Sequence, residues 1–241
     1  MSYPEAFPVA ILAGGLATRL HPATRITPKA LIEVAGKPFI SHQLDYLARQ
    51  GIAHVVLCIG YRGEQIESTV GNGREFGLTV EYSRDGPVLL GTGGALRRAV
   101  PMLGKRFFVL YGDSYLPCDF SAVQQAYLKR GKPALMTVLR NENRWDKSNV
   151  QYRDGQVVEY NKRAPRPEMT YIDYGLGILS AAALESYPQD RAFDLADVYH
   201  ELSIAGNLAG LEVSVNERFY EIGSPQGLRE TEAYFSTRGG A

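Results

Sequence analysis

Through the first half of the chain, short apolar runs alternate with segments whose apolar residues recur every three or four positions. That is the pattern of βαβ units laid into a parallel sheet. The strands are predicted at Val9 to Leu12, His54 to Ile59, Leu78 to Tyr82, Phe107 to Tyr111 and Ala134 to Leu139. Between the first two, Pro38 to Gln50 carries Ile40, Leu44, Leu47 and Ala48 on one face, with Pro38 at the start and Gly51 just past the end, which predicts a helix. Gly63 to Val70, Gly94 to Val100 and Phe120 to Arg130 are shorter helical candidates, the last with Asp119 or Ser121 available as N-cap.

The rhythm changes near residue 148. Asn149 to Arg153 and Gln156 to Tyr160 flank Asp154-Gly155 and predict an antiparallel hairpin on a type I′ turn. Tyr171 to Leu179 reads as a strand and Asp194 to Ala205 as a helix, with Leu195, Val198, Leu202 and Ile204 turned inward. Leu211 to Val215 and Phe219 to Ile222 read as two more strands, and Ser224-Pro225 opens a last helix to about Ser236, with a frayed tail beyond it. No repeat or Pro/Ser-rich linker interrupts the chain, so a second unit would have to be an insertion packed on the main sheet.

Composition narrows the function classes. At 241 residues, 45% of them hydrophobic, the chain can bury one sizeable core. Lys+Arg and Asp+Glu both number 26, so no overall basic excess exists for a nucleic-acid backbone. The longest apolar runs fall short of the roughly 18 to 20 residues that span a bilayer, and MSYPEAFPVAIL lacks the basic n-region of a secretory signal. A cytoplasmic protein without nucleic-acid or membrane partners is the expectation. Cys58, inside VVLCIG, reads as a buried thiol, and two cysteines suggest neither a disulfide framework nor a thiolate metal site.

Chemistry concentrates after the first strand, where Leu12-Ala13-Gly14-Gly15 leads into a long loop carrying Arg19, Pro22, Pro28-Lys29 and Gly36-Lys37-Pro38. Ligands of open α/β sheets collect at the carboxyl ends of the strands. Paired glycines admit a phosphorylated group close to backbone amides, and Arg19 with Lys29 supply cations for a polyphosphate. A plain surface turn accounts for the Gly-Gly dipeptide equally well. Neither GxxxxGK[ST] nor a GxGxxG after strand one is present, which removes the P-loop and the dinucleotide fingerprint.

LAGGLATRLHPATRITPKALIEVAGKPFI, from Leu12 to Ile40, resembles the signature LAGGxGTRLxPxTxxxPKxLxxVxGKPxI of the sugar-1-phosphate nucleotidyltransferases, departing from it at Ala17. In size the chain is similar to the short mannose-1-phosphate and D-glycero-D-manno-heptose-1-phosphate guanylyltransferases. The resemblance implies that Leu12, Ala13, Gly14 and Gly15 contact the nucleotide, that Arg19 reaches its phosphates, and that Lys29 bridges the reacting groups. Leu90 to Ala95 is similar to the family's LGTGGA, which implies nucleotide contacts at Gly91, Thr92 and Gly93. Tyr111-Gly112-Asp113 resembles a strand-end GD whose aspartate holds catalytic Mg²⁺. Glu221 stands where the family has a second metal-binding Asp, and its alternative role is to cap the last helix.

For the acceptor, the resemblance implies that Lys162 holds the nucleophilic phosphate and that Asn161, Asp173 and Gly175 read the sugar, Asn161 and Asp173 replacing the usual Glu and Asn. A structural ion-pair cluster is the other reading of these residues. Ser148-Asn149 either contacts sugar or begins the hairpin, and Trp145 with Tyr152 and Tyr160 either offers a sugar platform or packs.

The implied fold is α/β, a Rossmann-like three-layer αβα with a mostly parallel central sheet and a small antiparallel sugar-binding insertion. It would form a single domain over 1-241: a nucleotide-binding half to about 140, a sugar-phosphate part over about 141-225, and a C-terminal helix and tail over 225-241. The implied reaction joins a nucleoside triphosphate and a sugar 1-phosphate with Mg²⁺, GTP being the first choice of nucleotide, and a homodimer is an allowed assembly. A cytidylyltransferase of a non-sugar phosphate or phosphonate, or a non-catalytic nucleotide-sugar sensor, are the competing functions.

Overall fold

A computed structural model of the chain describes residues 5–15, 27–214 and 218–238. In chain order the elements are β1 (Val9–Leu12), β2 (Glu33–Val34), β3 (Lys37–Pro38), α1 (Phe39–Arg49), β4 (His54–Ile59), α2 (Gly63–Val70), β5 (Thr79–Arg84), α3 (Gly91–Leu103), β6 (Arg106–Tyr111), β7 (Ser114–Tyr115) and α4 (Phe120–Arg130). They continue with β8 (Ala134–Arg140), β9 (Val150–Arg153), β10 (Gln156–Tyr160), β11 (Tyr171–Ser180), α5 (Leu195–Ile204), β12 (Leu208–Glu212), β13 (Tyr220–Glu221) and α6 (Pro225–Arg238).

Nine strands make the main sheet, in the order β5-β4-β1-β6-β11-β8-β12-β10-β9. The neighbours β5, β4, β1 and β6 are all parallel, with Val9 aligned on Val55 and on Phe108. Alternation along the strands splits the core into two layers. Val9, Ile11, Leu57 and Leu110 face Leu44 and Leu47 of α1 and Phe120 and Val123 of α4. Ala10, Val56, Cys58 and Val109 face Leu96 and Ala99 of α3 and Leu195 and Val198 of α5. Apolar residues on both faces are why these strands read as unbroken hydrophobic runs. The result is the expected three-layer αβα arrangement.

Beyond β6 the sheet is mixed, because β11 runs antiparallel to both β6 and β8 while β12 runs parallel to β8. The hairpin forms as its sequence demands, with Asp154 at φ 50° and Gly155 at φ 80°, the pair of positive values a type I′ turn requires. It adds to the same sheet: β10 pairs with β12, and β9 returns to pair with β11, Val150 opposite Tyr171. Five strands thereby close on themselves. In β11 the register with β8 shifts between Asp173 and Gly177, a bulge with Gly175 at φ 104°.

Two expectations need correction. Ile204 is 62% exposed rather than inward. It lies nine residues after Leu195, about half a turn round a helix of 3.6 residues per turn, opposite the stripe of Leu195, Val198 and Tyr199 that meets the sheet. The strand expected at Leu211 to Val215 runs instead from Leu208 to Glu212, Val215 lying outside the described residues, with Gly210 a strand residue. The Tyr152 ring lies against it, and a Cβ on Gly210 would come within 2.6 Å of that ring.

Asp119 is the N-cap of α4, its Oδ1 accepting from the N–H groups of Ser121 (2.8 Å) and Ala122 (3.2 Å). Replacing Asp119 by Ala leaves those donors without their cap, and the expected loss is about 1 kcal/mol of stability. Urea unfolding measures it; an unchanged midpoint with an unchanged slope contradicts the capping role.

Candidate functional site

The parallel register of β4, β1 and β6 brings the segments that follow them out side by side at one end of the sheet. They come very close there. Ala13 N–H donates to Cys58 O, Tyr61 N–H to Gly14 O and Gly112 N–H to Leu12 O. A Cβ on Gly14 would lie 3.0 Å from Gly60 N, so this glycine is required by backbone against backbone. Gly15 differs: nothing lies within 4 Å of where its Cβ would be, and it opens onto a cleft.

That first cleft, of about 330 Å³, is lined by residues of the strand-one loop, by Lys29, by Asp85 and Leu89, by Gly91 and Thr92, and by Tyr111 to Asp113. A second, of about 500 Å³, reaches from Tyr111 and Asp113 past Lys162 and Asp173 to Trp145 and Arg218. Tyr111 and Asp113 border both. The two clefts therefore meet at the end of β6.

Asp113 is held there from three directions. Lys29 Nζ donates to its Oδ2 at 2.6 Å, a pair in which the lysine side chain is 15% and the aspartate 34% exposed. Its backbone O accepts from Ile222 N–H at 3.0 Å, where β13 pairs with β7. From beneath, the amide of Gln43, 2% exposed, donates to Tyr111 O (2.9 Å) and Ser114 O (2.7 Å), gripping the corner on both sides. Gln43 sits on the buried stripe of α1, and a polar residue at an apolar spacing was the sequence signal for it.

The C-terminal part supplies a second carboxylate. Glu221 accepts from Gly223 N–H and from the Ser224 hydroxyl, so it ties down the entry to α6. A Cβ on Gly223 would lie 2.6 Å from Glu221 Oε2, 2.8 Å from Lys29 Nζ and 3.5 Å from Asp113 Oδ2, so the three groups converge on one glycine. Among the described residues no group of three or more His, Cys, Asp or Glu is arranged to hold a metal ion by itself.

The LGTGGA segment behaves differently from expectation in part. Gly91 and Thr92 line the first cleft, whereas Gly93 turns toward the chain before α5. A Cβ on Gly93 would come within 2.3 Å of the Phe193 ring, and one on Gly94 within 2.4 Å of Arg191 O. Thr92 Oγ1 donates to Asp194 Oδ1 (2.7 Å) and accepts from Leu195 N–H (2.8 Å), joining the starts of α3 and α5.

In the second cleft Lys162, Asp173 and Gly175 are neighbours on the lining, the bulge in β11 having turned the last two toward it. Burial pushes the Asp173 carboxyl up to about 6, against the Gly175 N–H it accepts and the charge of Lys162, both of which pull it down. Tyr111 is pushed well above a normal phenol by burial first and by Asp173 next, so it can donate a proton in a hydrogen bond but does not ionise. Asn161 is set back from the lining, its Oδ1 accepting from Ala164 N–H in a local turn. Ser148 is 2% exposed and bonded within its loop, the structural one of its two readings. Arg19 and Ala17 lie outside the described residues.

Sequence reasoning gave Asp85 no role. It is 5% exposed, accepts from Leu90 N–H at 3.1 Å and lines the first cleft; burial raises its carboxyl, while that N–H and Arg98 lower it. In sequence it resembles a turn residue beside Gly86-Pro87, and only the loop's return onto α3 brings it to the cleft.

Asp173 yields a pH-dependent prediction. A carboxyl raised from 3.8 to about 6 adds stability that is complete below its unfolded value and is lost as pH rises through 6. Asp173→Asn keeps an acceptor for Gly175 N–H without the charge, so it is expected to stabilise the protein by about 2 kcal/mol at pH 8 and by nothing at pH 4. Thermal melts across that range decide, and a gain independent of pH refutes the cause.

A family model described as Nucleotidyl transferase matches residues 9–148. The chain is 39% identical over 116 residues to the N-acetylmuramate alpha-1-phosphate uridylyltransferase of Neisseria meningitidis serogroup B, covering 48% of this chain and 50% of that protein. It is 32% identical over 180 residues to the mannose-1-phosphate guanylyltransferase catalytic subunit beta of Drosophila pseudoobscura pseudoobscura, covering 73% and 48%. The chain thus spans about half the length of these curated relatives. Among solved structures, HddC from Yersinia pseudotuberculosis complexed with GMP-PN superposes with a TM-score of 0.81 at 26% identity, over 95% of this chain and 99% of that one. A putative glucose-1-phosphate thymidylyltransferase from Bacillus anthracis reaches 0.82 at 22% identity, over 95% of both chains, a likeness of fold.

Proposed function

Because the chain belongs to the nucleotidyl transferase family, we propose that it transfers a nucleotidyl group from a nucleoside triphosphate to a sugar 1-phosphate, with GTP the preferred donor. The observation that carries this reading is the position of Asp113, paired with Lys29 where the two clefts meet. The first cleft takes the triphosphate and the second the acceptor. An oxygen of the acceptor phosphate attacks the α-phosphorus, the bond from that phosphorus to the β-phosphate bridge breaks, and pyrophosphate leaves.

Both reactants are anions, so the main tasks are alignment and charge neutralisation. Lys29 stands beside the reacting groups, and Lys162, with no carboxylate in ion-pair contact among the described residues, holds the acceptor phosphate. Tyr111 donates its hydroxyl hydrogen to a phosphate oxygen at the junction. Ala13 to Gly15 offer backbone to the triphosphate, and Arg19 reaches the same phosphates. Asp173 and Gly175 read sugar hydroxyls.

The donor set suits Mg²⁺, since oxygen ligands of two carboxylates converge beside Lys29 and this ion takes only one or two carboxylates and fills its shell with water and phosphate. Asp113 would hold it, with Glu221 as the second oxygen donor alongside its capping contacts, and when bound it supplies further neutralisation of phosphate charge.

Asp85 supports guanine. Its carboxylate presents acceptors in a buried wall of the first cleft, and the guanine edge carries adjacent N–H donors, whereas uracil and thymine flank one N–H with two carbonyls. The relatives named as guanylyltransferases and the neighbour crystallised with GMP-PN favour the same base.

Pyrophosphate release is to be followed with Mg²⁺, each nucleoside triphosphate and a panel of sugar 1-phosphates, phosphocholine and a phosphonate. Release with GTP and a sugar 1-phosphate is expected, falling roughly a thousandfold in Asp113→Asn. No release with any pair refutes catalysis, and release confined to CTP with a non-sugar acceptor refutes the substrate assignment. Asp85→Asn pairs an acceptor with a donor, and is expected to lower the ratio of kcat/KM for GTP over UTP at least tenfold. An unchanged ratio removes Asp85 from base reading.

A further inference from the structure

The far wall of the second cleft holds a cluster to which the reaction gives no task. Trp145 lies there with the Arg144 guanidinium carbon 4.9 Å and that of Arg218 5.9 Å from its ring centre. Arg218 is also 5.0 Å from the Tyr220 ring and is paired with Glu230. The Arg144 N–H donates to Asn141 O at 2.8 Å, and its guanidinium makes no ion pair or hydrogen bond among the described residues. The remaining carboxylates of the cleft are engaged elsewhere: Asp146 on Lys147 N–H, Asp173 on Gly175 N–H, Glu221 at the start of α6 and Asp113 on Lys29.

The loop that carries Arg144 and Trp145 is built to hold them. Asn141 and Ser148, each 2% exposed, brace it from inside. The Asn141 amide donates to Asp146 O (2.7 Å) and Ser148 Oγ (3.0 Å), and its Oδ1 accepts from Trp145 N–H (3.2 Å). Asn143 and Ser148 exchange two further bonds, each side chain accepting from the other's N–H. Within this brace Glu142 and Asn143 take φ of 50° and 61°, a left-handed backbone that costs about 1 kcal/mol per side-chain-bearing residue. Such internal bonding gives the loop one shape, and that shape sets a guanidinium over an indole with a second guanidinium at the same ring. Two like charges on one ring repel each other, Glu230 pairs with Arg218, and the Arg144 guanidinium is left without an ion-pair partner among the described residues.

We propose that the acceptor carries a second anionic group, a carboxylate or phosphate remote from its 1-phosphate, which is bound by Arg144 and Arg218 beside Trp145. The inference rests on the second cleft being the acceptor site. Lys162 then takes the reacting phosphate, the Arg-Trp-Arg wall takes the other charge, and Asp173 with Gly175 faces the hydroxyls between them. Arginine suits the task because its planar fork binds either oxyanion through two N–H groups at once. A sugar 1-phosphate without a second anionic group would leave the Arg144 guanidinium without an ion-pair partner.

The test uses matched acceptors differing in that one group: glucose 1-phosphate against glucuronic acid 1-phosphate for a carboxylate, and against glucose 1,6-bisphosphate for a phosphate. With GTP and Mg²⁺, at least one doubly anionic member is expected to exceed glucose 1-phosphate tenfold or more in kcat/KM. Arg144→Gln is expected to reduce that advantage at least fivefold, through KM, with kcat little moved. Equal use of all three acceptors, or an Arg144→Gln loss that is the same for each, overturns the proposal.

Calorimetric titration of the three compounds into the full chain without nucleotide separates this inference from the reading beneath it. Tighter binding of a doubly anionic compound that is lost in Arg144→Gln upholds the wall as an anion site even if no pair turns over, in which case the transferase reading alone has failed. Binding that ignores the second group, or that Arg144→Gln leaves intact, refutes the anion site whether or not turnover occurs. Arg144→Lys distinguishes charge from fork, because it keeps the cation but not the paired N–H groups, and it is expected to retain part of the discrimination that Arg144→Gln loses.

Discussion

Three parallel strands in a common register, β4, β1 and β6, have to discharge their following segments at one end of the sheet, a strand's width apart. That crowding governs the rest of the molecule. It demands glycine at 14, where the backbone after β1 meets Gly60, and it leaves Gly15 as the place where the wall opens. It sets Asp113, two residues past the end of β6, within reach of a lysine from the long loop after β1. The Lys29–Asp113 pair is half-buried, and a charge there without its partner would be strongly destabilised. An arrangement of this kind stays poised because the lysine that neutralises the carboxylate also faces the cleft.

The second requirement is support for that corner from elements remote in sequence. Gln43 holds the carbonyls on either side of Gly112-Asp113 from the buried face of α1, and β13 brings Ile222 and Glu221 to the same corner from the other end of the chain. Rigid support matters more here than any single contact, since displacement of a reacting group by about an ångström can cost a hundredfold in rate. The second cleft follows the same logic with different means. A bulge turns Asp173 and Gly175 toward the cleft, and a braced loop fixes Arg144 and Trp145 on its far wall. In both halves backbone irregularity is concentrated where side chains must be aimed.

The parallel strands were legible because both their faces are buried, which makes each an apolar run of strand length. The hairpin was legible because Asp-Gly between alternating residues has few other uses. Misreadings came where a local signal has two meanings. The start of β12 was missed at Leu208 because Gly210, against which the Tyr152 ring packs, carries no apolar side chain, and Ile204 continued an apolar spacing that the helix turns to solvent. Glu221 admits both of its readings for a physical reason: a carboxylate at a helix entry accepts backbone and hydroxyl hydrogens and still has lone pairs to offer a cation.

What the sequence determined by itself is the layered α/β body, and it marked Lys29, Asp113, Lys162 and Asp173 as candidates, each of which lines one of the two clefts. These follow from periodicity and from motif residues that sit within one element and its adjoining loop. What only the tertiary structure decided is how those residues meet: that Tyr111 and Asp113 border both clefts, that Asp85 is a buried wall, that Gln43 grips the corner, and that Arg144 and Arg218 share an indole. Each of these joins segments far apart in the chain, and local pattern carries no information about which remote surfaces packing will bring together.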